Sequence, residues 1–210
     1  MLDWQTIWVF TIACIALCAT PGPDMIVVAA RSAAQGRTAG LMTHLGVATG
    51  SAFHALLLAL GLSQLFLAVP YAYDLVRYLG AGYLLFLAWQ AFTARSSFST
   101  QSSQLPRRPL FIIFKQGFLS NLLNPKVALF YLALFPQFLD PSSGSVAGQI
   151  LLLAIILQIV GLIIHGIVIW LASGMRHFMA NGRTFVKWSR IFLGTVFGTL
   201  AARLVFDGQK

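Results

Sequence analysis

Two short motifs place an ionisable side chain in the middle of an apolar run. Asp24 ends the sequence PGPD in the run Ile7–Ala30, and Lys126 ends the sequence NLLNPK in the run Leu110–Leu139. On insertion scales, an ionisable residue at the centre of a bilayer costs about 2.5–3.5 kcal/mol. If the second run crosses a membrane, Lys126 requires an anionic partner. That partner is either Asp24 or an anionic group on a bound ligand.

The prolines of both motifs predict a kink or a complete break in each helix. Proline lacks a backbone N–H donor and clashes with the preceding turn. Asn124-Pro125 is also a good helix start, because Asn accepts at the N-cap and Pro suits the first helical position. On the simplest interpretation, both motifs only restart helices after a kink. The charge on Lys126 argues against a purely structural role, because the positive end of a helix dipole disfavours a cation.

Two half-helix starts would point backbone N–H groups at a shared central cavity, where they favour an anionic group such as a carboxylate. Asp24 can pair with a cationic group, and Lys126 adds a positive charge to the anion site. A zwitterion matches both charges, so we hypothesise a central amino-acid site between the motifs. Asp24 is also the candidate for a titrating carboxylate that couples transport to protons.

Further polar residues complete this candidate site. Gln116 and Gln158 are polar and lie deep enough in their runs to line a cavity, and His165 is a candidate for a proton or polar-contact role. The candidate binding or coupling residues are Thr20, Pro21, Gly22, Pro23, Asp24, Gln116, Asn121, Asn124, Pro125, Lys126, Gln158 and His165.

The composition indicates an integral membrane protein. Of the 210 residues, 58% are hydrophobic and 9% are charged, whereas soluble domains have about 45–50% and about 25%. A spanning helix needs about 20 mostly apolar residues. Six continuously apolar runs predict an all-α protein with six transmembrane helices. The runs are Ile7–Ala30, Leu41–Val69, Leu75–Ala94, Leu110–Leu139, Val146–Ala172 and Trp188–Phe206.

The order of the six runs predicts two repeats of opposite orientation. A flexible cytoplasmic linker, residues 95–109, is rich in Ser, Gln and Pro. It separates a first three-helix repeat, residues 1–94, from a second, residues 110–210. Because three is odd, the second triplet enters the membrane from the other side, as in a 3+3 inverted repeat. Broken or kinked helices one and four agree with this plan, since matched breaks mark the sites of secondary transporters.

Membrane orientation explains the net charge of +9 better than a nucleic-acid partner does. The loops after spans one, three and five share one face and hold ten of the 14 Lys and Arg residues. This positive-inside bias predicts a multi-pass protein of the bacterial plasma membrane with both termini outside, in the periplasm. The ten residues are Arg31, Arg37, Arg95, Arg107, Arg108, Lys115, Arg176, Arg183, Lys187 and Arg190.

The sequence predicts no enzyme centre, resident metal or cofactor. It has no nucleotide-binding Gly-rich loop, no paired acids and no activated nucleophile. Two cysteines lie four residues apart without metal-type spacing, and three histidines lie in or near the spans. These residues are Cys14, Cys18, His44, His54 and His165.

Small residues at a spacing of four predict two close helix contacts. Gly46-x-x-x-Gly50 lies in span two, and Gly194-x-x-x-Gly198 lies in span six. Such motifs allow helix backbones to approach each other. They serve packing within the bundle or, alternatively, the interface of a homodimer.

The two central motifs are accompanied by other short segments along the whole chain. They are GRTAGL at 36–41, LG at 45–46, LGAGYL at 79–84, QGF at 116–118 and FPQF at 135–138. Together with PGPD and NPK, these segments resemble the LysE/RhtB family of amino-acid exporters. The resemblance implies an inner-membrane exporter of lysine, threonine, homoserine or similar compounds that is driven by proton exchange.

Two other interpretations stay open at this point. A cation or metal exporter on a related fold would need several intramembrane acids, whereas Asp24 is the one acidic residue well inside a span. A membrane scaffold or enzyme without transport activity would use the two breaks only as kinks. It would show no substrate-dependent counterflow in proteoliposomes.

Overall fold

The described part of the chain is helical. The structure, a computed structural model, describes residues 2–68 and 105–174, with single helical positions at 82, 85, 86, 89, 195 and 198. These residues contain no β-strand, which agrees with the predicted all-α class. The α-helices are α1 (Trp4–Ala19), α2 (Pro23–Gln35), α3 (Arg37–Ala68), α4 (Leu110–Leu122), α5 (Pro125–Leu134) and α6 (Val146–Gly174), and the 3₁₀ helices are Phe135–Phe138 and Pro141–Ser143.

The first motif breaks the chain between α1 and α2, which are bent by 56°. The N–H of Thr20 still closes the last turn of α1, but Pro21 has no N–H with which to continue the ladder. Gly22 is the N-cap of α2, and Pro23 takes the first helical position, where its fixed φ is favourable. The predicted break in helix one is therefore confirmed.

The second motif breaks the chain between α4 and α5, and the bend there is 49°. The side chain of Asn124 accepts a hydrogen bond of 3.0 Å from the backbone N–H of Lys126. Pro125 follows as the first residue of α5. The break in helix four and its capping by Asn124-Pro125 are both as the sequence predicts.

Length and composition allow the described residues to cross a membrane up to four times. The helices α3 and α6 are each long and apolar enough, and each bent pair counts as one further candidate span. These candidates correspond to predicted spans one, two, four and five. Spans three and six lie outside the described residues except for single positions, as does most of the 95–109 linker. The six-helix, 3+3 arrangement therefore stays a prediction.

The surface of α6 is apolar over most of its length. Large hydrophobic side chains on this helix are 52–62% exposed. A continuous exposed apolar face of this kind is typical of a surface that contacts lipid. The side chains are Ile155, Ile159, Leu162, Ile163, Ile167 and Trp170.

An aromatic cluster packs α1 against the end of α5 and the following 3₁₀ helix. Tyr131 and Phe135 are stacked with ring centroids 4.4 Å apart, and Phe10 lies edge-on to Phe135 at 5.2 Å. Phe130 and Phe138 join the same buried cluster. Under the predicted orientation, this cluster lies on the outer half of the bundle.

Glycines bring α3 and α4 into direct backbone contact. A Cβ at Gly46 would lie 2.1 Å from the carbonyl oxygen of Phe114, and one at Gly117 would lie 2.1 Å from that of Thr43. Gly50 continues the interface, since a Cβ there would lie 3.0 Å from Asn121. The first GxxxG motif therefore serves packing within the bundle.

Alanine at these glycines should destabilise the bundle. We expect Gly46→Ala and Gly117→Ala to cost about 1–3 kcal/mol through overpacking, which outweighs the gain of about 1 kcal/mol for Ala in a helix. Gly166→Ala on α6 is the matched control, because nothing lies within 4 Å of its Cβ position. Thermal melting of detergent-purified protein measures the effect. Equal melting temperatures for Gly46→Ala and Gly166→Ala would contradict the close contact.

Candidate functional site

The two helix breaks meet at one internal cavity. Its volume is about 60 Å³, and every described α-helix contributes to its wall. A water needs about 10–15 Å³ of such volume, so the cavity has room for a few waters. Eight of the twelve residues predicted from the sequence line it. They are Thr20, Gly22, Asp24, Asn121, Asn124, Lys126, Gln158 and His165.

Asp24 of the first break is held by side chains of the second. One carboxylate oxygen accepts from the hydroxyl of Ser120 at 2.8 Å. The other accepts from the amides of Asn121 at 2.7 Å and Asn124 at 3.2 Å. Asp24 is 7% exposed and lies in the first turn of α2, where the helix dipole favours an anion.

Lys126 of the second break is held by the backbone of the first. Its ammonium donates to the carbonyl oxygens of Leu17 at 2.9 Å and Thr20 at 3.1 Å. These carbonyls end α1, where the dipole favours a cation. In the sequence, Lys126 lies at the positive start of α5. The side chain instead reaches the negative end of α1, so the expected dipole penalty does not arise.

Gly22 lies beside the ammonium of Lys126. A Cβ at Gly22 would lie 3.7 Å from the ammonium nitrogen of Lys126. No side chain caps α2 at this residue, and Gly22 and Lys126 both line the cavity, so the start of α2 and the ammonium lie next to each other at its wall. The arrangement combines a helix start with a positive charge, both of which attract a carboxylate.

Asn121 presents one further polar atom. Its amide nitrogen is bonded to Asp24, which fixes the orientation of the side chain. Its amide oxygen is buried and has no hydrogen-bond partner among the described residues. An acceptor of this kind, next to a carboxylate, suits a donor on a ligand or a water molecule.

Two histidines that are far apart in the sequence meet at the cavity wall. His44 of α3 and His165 of α6 face each other with their Nδ1 atoms 3.0 Å apart. Nearby, the amide of Gln158 donates to the carbonyl of Ala48 at 2.8 Å. Within the described residues, no three His, Cys, Asp or Glu side chains group as metal ligands.

The other four predicted residues lie elsewhere. Pro23, Pro125 and Gln116 line a second, open groove of about 690 Å³ that shares Asn124 with the central cavity. Pro21 lies in the first break and is not among the lining residues of either space.

A buried arginine forms hydrogen bonds that connect the segments of the groove wall. The guanidinium of Arg31 donates twice to the side-chain oxygen of Gln116, at 2.8 and 3.0 Å. It also donates to the carbonyl of Pro106 at 3.2 Å and to Gln35 at 3.3 Å. This Arg31–Gln116 latch joins α2 to α4 on the side where the sequence predicts the cytoplasm.

Sequence reasoning missed four residues of these two spaces. The sequence alone presents Arg31 as a loop charge and gives no reason to pair His44 with His165. Ser120, which precedes the motif residue Asn121, and Ser51, which bonds Tyr131 at 2.8 Å, were not singled out. The adjacency of Ser120 to the motif was the one available signal. The other three contacts depend on how distant helices approach each other. The four residues are Arg31, His44, Ser51 and Ser120.

Paired broken helices around a charged, polar cavity are typical of membrane transporters. The family comparison agrees with this class. Residues 15–208 match the family model "LysE type translocator". The chain belongs to the LysE type translocator family and is a multi-pass membrane transporter, which confirms the resemblance found in the sequence.

Individual relatives cover most of the chain. The leucine efflux protein of Salmonella typhimurium (strain LT2) is 29% identical over 197 residues, 94% of this chain and 93% of the relative. The uncharacterized membrane protein YrhP of Bacillus subtilis is 32% identical, covering 82% of this chain and 83% of the relative. YahN of Escherichia coli K12, also an uncharacterized membrane protein, is 32% identical over 90% of this chain and 83% of its own. No solved structure matches the chain.

Replacing the central carboxylate should destabilise the protein. In Asp24→Asn, an amide NH₂ group would face hydrogen-bond donors of the second break, and at least one donor would lose its acceptor. We expect a loss of about 1–3 kcal/mol and a smaller one for Ser120→Ala. The control is Asp140→Asn, which changes an exposed loop carboxylate bonded to neighbouring serines. Thermal melting should rank the variants in this order, and wild-type melting of Asp24→Asn would contradict the bonding described.

Proposed function

We propose that the protein is a secondary active exporter of neutral aliphatic amino acids in the bacterial plasma membrane. In this proposal, it exchanges substrate for protons and has six spans in a 3+3 inverted repeat, with both termini in the periplasm. One observation carries the proposal. The two breaks bring a carboxylate, Asp24, and an ammonium, Lys126, to the wall of one cavity in a chain of a translocator family.

The two charged groups of the substrate fit two different parts of the cavity wall. Its carboxylate would lie at Gly22, where the uncapped start of α2 and the ammonium of Lys126 meet. Its ammonium would lie toward Asp24 and the amide oxygen of Asn121, which has no hydrogen-bond partner in the described part of the chain. The zwitterion thereby pairs each of its charges with an opposite charge or dipole of the protein.

The apolar part of the cavity favours an aliphatic side chain. Leu17, Val47 and Leu157 line it. Among the described lining residues, Asp24 is the one carboxylate, so a lysine side chain would find no second anion. The name of the relative from Salmonella typhimurium, a leucine efflux protein, agrees with this choice. We therefore propose that leucine is a better substrate than lysine, threonine or homoserine.

The two ends of the cavity suggest how access alternates. The groove of about 690 Å³ adjoins the cavity on the predicted cytoplasmic side, whereas the aromatic cluster of α1 and α5 lies on the predicted outer side. Substrate would enter through the groove. The two repeats would then rock about the site and open it outward, with the Arg31–Gln116 latch closing the cytoplasmic side.

Counterflow in proteoliposomes tests the proposed function. Wild-type protein should exchange labelled leucine for internal leucine and should exchange lysine much more slowly. Asp24→Asn and Lys126→Ala should each lower the rate by about tenfold or more, because each removes a charge whose pairing is worth about 1.5–3 kcal/mol. Asp140→Asn should exchange like the wild type. Absence of counterflow in the wild type with every amino acid tried would overturn the proposal.

A native cysteine reports whether substrate occupies the cavity. Cys18 lines the cavity, whereas Cys14 is fully buried nearby. In a Cys14→Ala background, leucine should slow the labelling of Cys18 by a small maleimide several-fold, because the bound substrate blocks access to the thiol. The converse variant, Cys18→Ala, should show no protection at Cys14. Labelling of Cys18 that does not respond to saturating leucine would contradict a central site.

A further inference from the structure

The contact between His44 and His165 joins the two predicted repeats inside the cavity. The Nδ1 atoms are 3.0 Å apart, and the rings are nearly perpendicular, at 83°. The exposed fractions are 5% and 6%. His44 belongs to the first repeat through α3, and His165 belongs to the second through α6. Both line the space proposed for the substrate.

Hydrogen-bond chemistry limits how many protons this pair holds. In the neutral pair, one ring donates from Nδ1–H to the bare Nδ1 of the other ring. The donor ring then has a bare Nε2. One additional proton fits on that Nε2 and leaves the shared bond intact and charge-assisted. A second additional proton would place two N–H groups face to face, so the pair accepts one proton without separating.

The other ionisable groups at the cavity are engaged differently. Asp24 accepts hydrogen bonds on both oxygens, so a proton on either oxygen would disturb that set. Lys126 donates to the end of α1. Cys18 is the remaining ionisable side chain among the described lining residues. The hydrogen bond between the two histidines uses the Nδ1 atom of each ring.

We propose that the His44–His165 pair is the proton-binding site that couples export to the proton gradient, whereas Asp24 binds the ammonium of the substrate. This inference rests on the proposed export function. A proton taken up from the periplasm makes the pair cationic, and the substrate's ammonium then meets a like charge in a cavity of about 60 Å³. Proton and substrate therefore exclude each other, which is the condition for exchange.

The pair also links this proton to the movement of the two repeats. Its hydrogen bond crosses from α3 to α6, and protonation changes that bond from a neutral one to a charge-assisted one. Charge-assisted bonds are roughly twice as strong as neutral ones. The protonated pair therefore holds α3 and α6 together more firmly than the neutral pair does, so the protonation state biases the equilibrium between the two orientations of the repeats.

Purified variants in proteoliposomes test the assignment. His44→Gln and His165→Gln remove the pair, and His54→Gln is the matched control. His54 lies on the same helix as His44, but it stacks on Tyr131 and does not line the cavity. The measurement is the ratio of uphill leucine export driven by a pH gradient to leucine counterflow at equal pH. We expect this ratio to fall by about tenfold in both pair variants and to keep its wild-type value in His54→Gln.

A second measurement does not depend on flux. Leucine binding to the wild type in detergent should weaken as the pH falls, because the protonated pair repels the substrate. It should also release protons into a weakly buffered solution. In the pair variants, both effects should be lost or strongly reduced. Histidine ¹⁵N NMR of the wild type should show a shared Nδ1 proton that is absent in either variant. The ¹⁵N chemical shifts of the wild-type histidines should change over the pH range in which the gradient drives export.

Different results would overturn the two proposals. If the wild type shows no counterflow, the export function fails. If counterflow is present and both pair variants keep gradient-driven export, the proton site lies elsewhere. If the variants lose all flux, the NMR titration decides, and histidine shifts that do not respond to pH in the wild type would overturn the assignment.

Discussion

The structure depends on an exchange of charges between two broken helices. A break deep in a membrane helix leaves carbonyls at one end and N–H groups at the other, and unsatisfied groups there cost several kcal/mol each. Lys126 from the second break satisfies carbonyls of the first. Asp24 from the first break accepts donors from the second. Each break supplies the charge that the other needs, so each is stable only when the other is in place.

This exchange explains why polar residues can line the cavity. A lone lysine or aspartate at this depth would have to lose its charge or draw in water. Here each charge is solvated by groups of the protein that are fixed in position. The same groups leave positions open to a ligand: among the described residues, the amide oxygen of Asn121 has no hydrogen-bond partner, and no side chain caps the start of α2.

Local rules predicted the breaks, and they could not predict which side chains meet across them. Pro21 and Pro125 act on their own helices, so their effects follow from the sequence alone. Whether Lys126 faces its own helix or the end of α1 depends on how closely two segments more than 100 residues apart approach each other. The approach of distant helices likewise determines that His44 meets His165 and that Gln116 lies at the groove with Arg31. A helical period specifies which residues share a face, but it does not specify which helix that face contacts.

The sizes of the two spaces set a condition on transport. A cavity of about 150 Å³ in a protein core binds benzene, which has fewer heavy atoms than leucine. The central cavity, at about 60 Å³, must therefore enlarge before an amino acid of that size fits. The groove of about 690 Å³ shares Asn124 with it, and the latch between Arg31 and Gln116 joins the helices that form the groove wall. A movement of α2 relative to α4 would merge the two spaces, and it would also strain the bonds between Asp24 and the second break. Substrate that supplies its own ammonium to Asp24 offsets that loss, so in the proposed cycle the substrate itself makes the open state accessible.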